Sequence, residues 1–246
     1  MSVLVRLTRS ELRLFLREPA LVFFTLAFPS ILIVILGSVA AFREPRADLG
    51  GLRVVDLYAS IATILTVAML AFQVAPMVLA TYRERGILRR LATTPARPVV
   101  LMGAQLVTNL LTAVVSVALL LGVARLVFDV PLPREIPGFL VAFLLTVGAA
   151  AAIGLVIAAL APSGKTANTA GTLLFFPAMF FAGLWTPREL LPELLRRVGD
   201  FTPLGAGERA VQAAMTGSWP EWTSLTVLLA YMVVFGLAAA RMFRWE

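Results

Sequence analysis

The fold is decided by residues 57–82, which read LYASIATILTVAMLAFQVAPMVLATY and contain no charged side chain over 26 positions. A helix needs about 20 apolar residues to cross roughly 30 Å of hydrocarbon, so this stretch is long enough to span a bilayer. The hydrocarbon interior offers no partner to backbone N–H and C=O groups, and a spanning segment must therefore be helical. For a single stretch, the alternative is a buried helix of a soluble protein.

Five further stretches of similar length and composition make that alternative negligible. We predict six transmembrane helices, over residues 20–42, 57–82, 98–124, 136–161, 166–186 and 222–241. The whole sequence is 60% hydrophobic and has a mean hydropathy of +0.92, as expected of a chain that lies largely in lipid. The predicted fold class is an all-α membrane protein.

Little length remains for a soluble catalytic domain, because the six stretches occupy more than half of the 246 residues. We therefore interpret residues 1–246 as a single membrane domain. The sequence contains no Cys and no His, which excludes thiol chemistry, disulfides and the usual zinc sites. We expect no catalytic residue and no metal site on this chain.

One short motif, Ser163-Gly164-Lys165-Thr166, resembles the end of a phosphate-binding loop. The complete pattern requires a glycine where this chain has Ala159, and it follows a β-strand, not a membrane helix. We therefore expect no ATP site and no other cofactor here, and we interpret the motif as a tight cytoplasmic turn.

The acidic residues predict where the energy for any transport comes from. All 14 of them lie outside the six predicted spans. A proton- or sodium-coupled carrier normally places an ionisable residue inside the membrane, so this distribution argues against one. Energy would then be supplied by another chain.

The basic residues predict the orientation of the chain. Of the 21, twelve lie in the N-terminal segment, the second and fourth gaps between spans and the C-terminal tail, while nine on the other side are diluted by ten acids. Because short loops rich in Arg stay in the cytoplasm, both termini are predicted to be cytoplasmic, in a plasma (inner) membrane. The net charge of +7 then reflects topology and lipid headgroups and does not indicate a nucleic-acid partner.

Two segments are predicted to lie at the membrane surface. Residues 1–19 form an interfacial helix whose arginines recur every three or four positions and face lipid phosphates, namely Arg6, Arg9, Arg13 and Arg17. Glu11 and Glu18 lie on the opposite, less polar face, which suggests that this face contacts protein. Residues 187–203 begin like a capped helix at Thr186-Pro187 and are interrupted by Pro192, which predicts an outer hairpin of two short helices.

The predicted spans also contain prolines and small residues. Each proline removes a backbone hydrogen bond and allows a kink, in the first, second and fifth spans at Pro29, Pro76 and Pro177. The fourth span has small residues at Gly148, Ala152 and Gly154, which predict close packing against neighbouring helices.

Uncharged polar residues in the spans have two possible roles. They form hydrogen bonds between helices, which is the commoner role, or they line the path of a transported molecule; these residues are Gln73, Gln105, Asn109 and Asn168. In the fifth span, Phe175 and Phe176 suit an apolar cargo equally as well as contact with lipid or a partner protomer.

The gap after the second span reads YRERGILRRLATTP over residues 82–95 and resembles the cytoplasmic loop of ABC-2 type permeases. The segment that runs from GLWTP at residues 183–187 to Pro203-Leu204 resembles the outer re-entrant hairpin of the same family, which lies between the fifth and sixth spans. The number of spans and the N-terminal helix also match, so the resemblance covers the whole chain. Among ABC-2 permeases, the chain looks most like drug-resistance exporters such as the daunorubicin-type permeases.

The resemblance implies a permease subunit that exports an amphipathic drug-like compound or lipid and is not itself an enzyme. It implies two copies of a separate ATPase, which binds ATP and Mg, and a second permease protomer, identical or related. Residues 83–95 would be the coupling helix, in which Ile87, Leu88 and Leu91 fill a groove on the ATPase. Glu84 and Arg85 would pair with charges beside that groove and fix its register, and Gly86 belongs to the same coupling segment.

Alternative functions remain. The chain could be an ABC-2-like permease of polysaccharide or lipid export or of cytochrome biogenesis, or a membrane scaffold. Residues 83–95 could likewise be a solvated basic loop that only sets topology.

Overall fold

The computed structural model describes residues 3–87 and 98–242, and this part of the chain contains helices and turns but no β-strand. An isolated bridge between Pro45 and Arg53 closes the loop that precedes the second long helix. The predicted all-α fold is confirmed for the described residues.

The described helices are nine in number. In chain order they are α1 Val3–Leu16, α2 Pro19–Ser38, α3 Val54–Glu84, α4 Pro98–Phe128, α5 Ile136–Leu160, α6 Gly164–Phe181, α7 Glu193–Asp200, α8 Pro203–Thr216 and α9 Trp222–Met242. Short 3₁₀ turns lie at Ala40–Phe42, Ala47–Leu49 and Arg188–Leu190.

Five of these helices, α2, α3, α4, α5 and α9, are long and apolar enough to cross a membrane. The helix at the predicted fifth span, α6, has 18 residues and begins with the polar run GKTANT, which lowers its mean hydropathy. The structure thus supports a multi-pass membrane protein with five candidate spans, and the count of six stays a prediction.

The helix ends differ from the predicted ones by a few residues, for local reasons. The first membrane helix ends at Ser38 instead of residue 42 because Val39 adopts extended backbone, with φ −80° and ψ 115°. The second starts at Val54, where Asp56 accepts a hydrogen bond from the Arg53 backbone N–H at 3.3 Å. The α6 helix ends before Gly183, whose φ of +88° few other residues adopt.

Helix α3 is the centre of the bundle. Of its most apolar window, 83% is buried, against 22–44% for the corresponding windows of α2, α4, α5 and α9. The largest fully buried side chain in the described residues, Phe72, lies on this helix. Helices α2, α4 and α5 pack against α3, while α9 packs against α5 and α8, and the outer faces of these helices are exposed to lipid or to partners.

Glycines bring α5 and α6 into backbone contact with α3. A Cβ at Gly171 of α6 would lie 1.7 Å from the Phe72 carbonyl oxygen, and one at Gly154 of α5 would lie 2.1 Å from that of Ala71. At Gly148, the neighbour is Met232 of α9. The predicted close packing around the fourth span is confirmed, and α6 shares it.

The same part of α3 departs from α-helical geometry. Residues Met69–Val74 form a π turn that ends two residues before Pro76, and Phe23–Ala27 of α2 form a second π turn two residues before Pro29. A proline cannot donate the normal helical hydrogen bond, and a π turn is one of the ways in which helices absorb such an irregularity. Pro177 lies within α6.

The segment predicted as an outer hairpin contains two short helical elements, of which the first differs from the prediction. Its first element is a 3₁₀ turn of three residues, because Leu191 precedes Pro192 and is forced into extended backbone, with ψ 145°. The second element is α7, and Arg188 pairs with Asp200 at its end. Whether this segment re-enters the membrane stays a prediction.

Helix α8 was not predicted, although its boundary signals are present in the sequence. Thr202 caps its start by accepting a hydrogen bond from the Gly205 N–H at 3.2 Å, and Gly217, with φ +100°, ends it. The helix packs against α3, α5, α6 and α9. The segment after residue 203 is therefore a buried part of the bundle and not a loop.

We expect Gly171→Ala to destabilise the protein by about 2 kcal/mol or more, because the added methyl group must push α6 away from the α3 backbone. The matched control is Gly236→Ala in α9, where no atom lies within 4 Å of the added Cβ. That change should be neutral or slightly stabilising, since alanine favours helix by about 1 kcal/mol over glycine. The measurement is the melting temperature of each purified variant in detergent; equal melting temperatures would contradict the close contact.

Candidate functional site

The end of α3 contacts three other helices through consecutive side chains, which we call the α3 clamp: Tyr82, Arg83 and Glu84. The Tyr82 hydroxyl donates to the Glu11 carboxylate of α1, at 3.0 and 3.1 Å from its two oxygens. Arg83 donates to the carbonyl of Ala159 at 3.0 Å and to that of Ala161. The Glu84 carboxylate accepts from the Gly164 N–H at 3.1 Å.

The charges of the clamp match the helix ends that they contact. The Arg83 guanidinium lies at the carboxyl end of α5, where carbonyl groups lack partners and the helix dipole is negative. The Glu84 carboxylate lies at the amino end of α6, where free N–H groups make the dipole positive. The short turn between α5 and α6, which contains the rejected phosphate-loop motif, is thereby fixed to the end of α3.

Glu11 is 7% exposed, and its burial raises the pKa of the carboxyl above its usual value, while the hydrogen bond from Tyr82 acts in the opposite direction. The expectation that the acidic face of α1 meets protein is confirmed at Glu11. Its partner is the end of α3, while Glu18 is exposed.

The clamp leads directly into the predicted coupling segment. Gly86 has φ +67° and ends α3, Arg85 is exposed, and Ile87 is half-buried. Glu84 was predicted to pair with charges on a partner, but one of its carboxylate oxygens is bonded to α6. Leu88 and Leu91 lie outside the described residues.

An apolar cavity of about 370 Å³ lies between α2, α3 and α6. Its lining includes four of the six predicted path residues, Gln73, Asn168, Phe175 and Phe176. The ring of Phe176 lies 5.9 Å from that of Trp185, which lines the cavity as well. The structure thus brings together residues that the sequence places about 100 positions apart.

Both π turns line this cavity. Thr25 and Phe24 belong to the π turn of α2, and Met69, Gln73 and Val74 belong to that of α3. π turns are rare and recur at functional sites, because the extra residue redirects side chains that a regular helix would space evenly. Two π turns across one cavity mark it as a candidate binding site.

A second, more polar cavity of about 630 Å³ lies between α1, α2, α3 and α4. It contains the other two predicted path residues, Gln105 and Asn109, which are 4% and 9% exposed. The Gln105 side-chain nitrogen donates to the Asn109 side-chain oxygen at 3.4 Å. This hydrogen bond lies within α4 and does not join two helices.

The two cavities share four lining residues, Ala20, Leu21, Val74 and Met77. They therefore form neighbouring parts of one groove along α2 and α3, which we call the α2–α3 groove. Its polar part adjoins the α3 clamp at Glu11 and Tyr82, and its apolar part adjoins the π turns.

The described arginines of the interfacial helix lie on its exposed side, as their spacing predicted; they are Arg6, Arg9, Arg13 and Arg17. Their contact with lipid headgroups stays a prediction. Among the described residues, no group of three or more acidic side chains could hold a metal ion.

Glu208 is a buried acid that the sequence analysis missed. It is 3% exposed, on α8, and the Ser60 hydroxyl of α3 lies 3.0 Å from its carboxylate. Glu208 lies outside the six predicted spans, as the sequence analysis stated of all 14 acids, but it is buried among the helices of the bundle. The signals that could have found it are the Thr202-Pro203 start and Gly217 end of α8.

Comparison with known proteins identifies the family. The family described as ABC-2 type transporter matches residues 2–216. The chain is similar to the inner membrane transport permease YhhJ of Escherichia coli (strain K12), with 27% identity over 174 residues, 68% of this chain and 46% of YhhJ. It is also similar to the putative transport permease YvfS of Bacillus subtilis (strain 168), with 26% identity over 73 residues, 30% of each protein.

The chain spans about half the length of YhhJ and about a third of that of YvfS. The family match covers far more than half of the 246 residues and includes the α3 clamp and the α2–α3 groove. The resemblance to ABC-2 type permeases is thereby confirmed, and the protein belongs to the ABC-2 type transporter family.

Proposed function

We propose that the protein is the permease subunit of an ATP-binding cassette exporter that moves an amphipathic drug-like compound or a lipid out of the cell. The observation that carries this proposal is the course of α3, which lines the α2–α3 groove at Gln73 and ends in the α3 clamp. One buried helix thus joins a candidate cargo site to the segment that the family resemblance assigns to ATPase coupling.

Force applied to residues 85–97 would be transmitted through the clamp. Because Tyr82, Arg83 and Glu84 hold α1, α5 and α6, these helices would move with the end of α3. The backbone contacts at Gly154 and Gly171 leave little room for α3 to slide past α5 and α6. Residues Phe28–Ser38 of α2 also pack against α3, but residues 19–27 face α3 across the apolar cavity, so this part of α2 has room to change its distance from α3.

The partners follow from the same arrangement. ATP and Mg would be bound by a separate ATPase, present in two copies, and a second permease protomer would complete the transport path. Exposed rings at the mouth of the apolar cavity, Phe24 and Phe176, are suited to contact that protomer, cargo or lipid. We place the complex in the plasma (inner) membrane, with α6 as the sixth span and both termini in the cytoplasm.

The groove favours this function over the alternatives. A cavity of about 370 Å³ with an aromatic and mainly apolar lining suits an amphipathic molecule better than a polysaccharide or a haem-assembly role. A membrane scaffold would require no such cavity. Lipid export fits the groove as well as drug export does, so both stay within the proposal.

The first test is purification of the complex from native membranes. We expect a P-loop ATPase to copurify and to be identified by mass spectrometry. The purified chain alone should show no saturable ATP binding or hydrolysis, because the phosphate-loop motif lacks the glycine at Ala159 and its turn is held by the α3 clamp. ATP hydrolysis by a preparation shown to be free of the ATPase would contradict this assignment.

Two substitutions distinguish binding of the ATPase from transmission of force through the α3 clamp. Leu88→Asp should reduce copurification of the ATPase, since a charge would enter an apolar groove. Glu84→Gln should keep the ATPase bound but lower export about fivefold, because it weakens a charge-assisted bond at the start of α6, worth about 1 kcal/mol. Copurification of the ATPase is measured by pull-down, and export is measured in membrane vesicles.

The control is Glu193→Gln, which removes one charge from an exposed ion pair with Arg197 on α7. It should change neither ATPase copurification nor export, because exposed ion pairs of this kind contribute little to stability. If Glu84→Gln exports like this control, the clamp does not transmit force.

A further inference from the structure

The polar part of the α2–α3 groove presents hydrogen-bond acceptors from its most buried wall. Glu11 and Gln105 are 7% and 4% exposed, and both line the cavity of about 630 Å³. The Gln105 side-chain nitrogen donates a hydrogen bond to the Asn109 side-chain oxygen. The Gln105 Oε1 atom has no hydrogen-bond partner among the described residues 3–87 and 98–242. A buried carbonyl oxygen without a donor is unfavourable, so the site is suited to a ligand or water that supplies one.

Glu11 has acceptor capacity as well. Among the residues that the structure describes, its carboxylate accepts from one donor, the Tyr82 hydroxyl, while two carboxylate oxygens together offer about four acceptor positions. Burial disfavours the charged form of Glu11 and raises its pKa. A positive group in the cavity would compensate for that burial.

The basic residues of this cavity lie at its edge. Arg17 and Arg85 are exposed, as is the acidic Glu18, so their charges are largely screened by solvent and headgroups. The buried wall thus carries one carboxylate and amide oxygens, whereas the arginines lie where an anion would remain in water. A cation that carries N–H donors would therefore match the deep part of the cavity better than an anion.

We propose that this cavity is a binding site for the protonated amine of an amphipathic molecule, with the ammonium group between Glu11, Gln105 and Asn109. An ammonium offers three donors and one positive charge, which match the carboxylate, the unpartnered Gln105 oxygen and the Asn109 oxygen. The inference rests on the proposed function, because it names the cargo class that the same groove would accept.

The rest of the molecule would occupy the apolar cavity. The two cavities adjoin at the shared lining residues Leu21, Val74 and Met77, and the apolar one is also lined by Phe175 and Phe176. A ligand with an ammonium at one end and an aromatic or alkyl body at the other fits both parts. The amine of an aminophospholipid and that of a drug-like compound share this chemistry.

The test uses dansylcadaverine, a primary amine joined by five carbons to an aromatic fluorophore, and its uncharged N-acetyl derivative. Both are titrated at neutral pH into the full chain in phosphatidylcholine nanodiscs, and the saturable dansyl emission excited through tryptophan is recorded after subtraction of empty discs. Trp185 lines the apolar cavity and is a suitable donor. We expect the amine to bind at least about tenfold more tightly than the acetylated probe.

Glu11→Gln should weaken binding of the amine about tenfold and leave binding of the acetylated probe unchanged, since the amide still accepts from Tyr82. Gln105→Met should weaken binding of the amine by a smaller factor. The matched control is Glu44→Gln, which removes the same charge from an exposed position in the outer loop and should alter neither probe. Unchanged binding of the acetylated probe also shows that each variant is folded.

Equal affinity for the two probes, or equal effects of the Glu11 and Glu44 substitutions, would overturn the proposal. A further arm replaces half of the phosphatidylcholine by phosphatidylethanolamine. Weaker binding of dansylcadaverine there supports the site with a lipid amine as its occupant, and unchanged binding supports it with a soluble amine. The assay contains no ATPase, so its failure leaves the permease function intact, and absence of an ATPase partner leaves this site intact.

Discussion

The backbone contact between α3 and the two helices that follow α4 determines the rest of the arrangement. Gly154 and Gly171 allow α5 and α6 to reach the carbonyl oxygens of Ala71 and Phe72. Within lipid there is no hydrophobic force between helices, so close van der Waals packing through small residues is a main source of association. The contact fixes α3 at the centre and leaves α2 and α4 on its remaining side, where the α2–α3 groove lies.

Much of the fold could be predicted because lipid imposes one strong rule, that spanning segments are apolar helices. Five predicted spans correspond to helices that are long and apolar enough, with ends shifted by a few residues. The first span ends early because of local backbone geometry at Val39, which average hydropathy does not report, and Gly183 has the same effect on α6. Helix α8 was missed because Glu208 and Arg209 make it look like a loop, although Glu208 is buried against Ser60.

The sequence predicted which residues would line cavities, but it did not predict which of these residues would lie together. The polar and aromatic path residues do line cavities, yet they divide between an apolar part and a polar part, which depends on which helices are neighbours. Sequence spacing could not reveal that Glu84 bonds to the start of α6, because the two lie 80 residues apart. The buried position of Glu11 was indicated by its place on the apolar side of α1, but its partner Tyr82 was not.

The α3 clamp and the glycine contacts join α1, α5 and α6 directly to α3. Tyr82, Arg83 and Glu84 hold α1, α5 and α6 by directional bonds, and the glycines hold α5 and α6 by shape. Within the described residues, α2 takes no part in the clamp; its residues Phe28–Ser38 pack against α3, whereas its π turn faces α3 across a cavity. A change at the end of α3 would therefore alter the width of the groove before it disturbed the packing of α5 and α6.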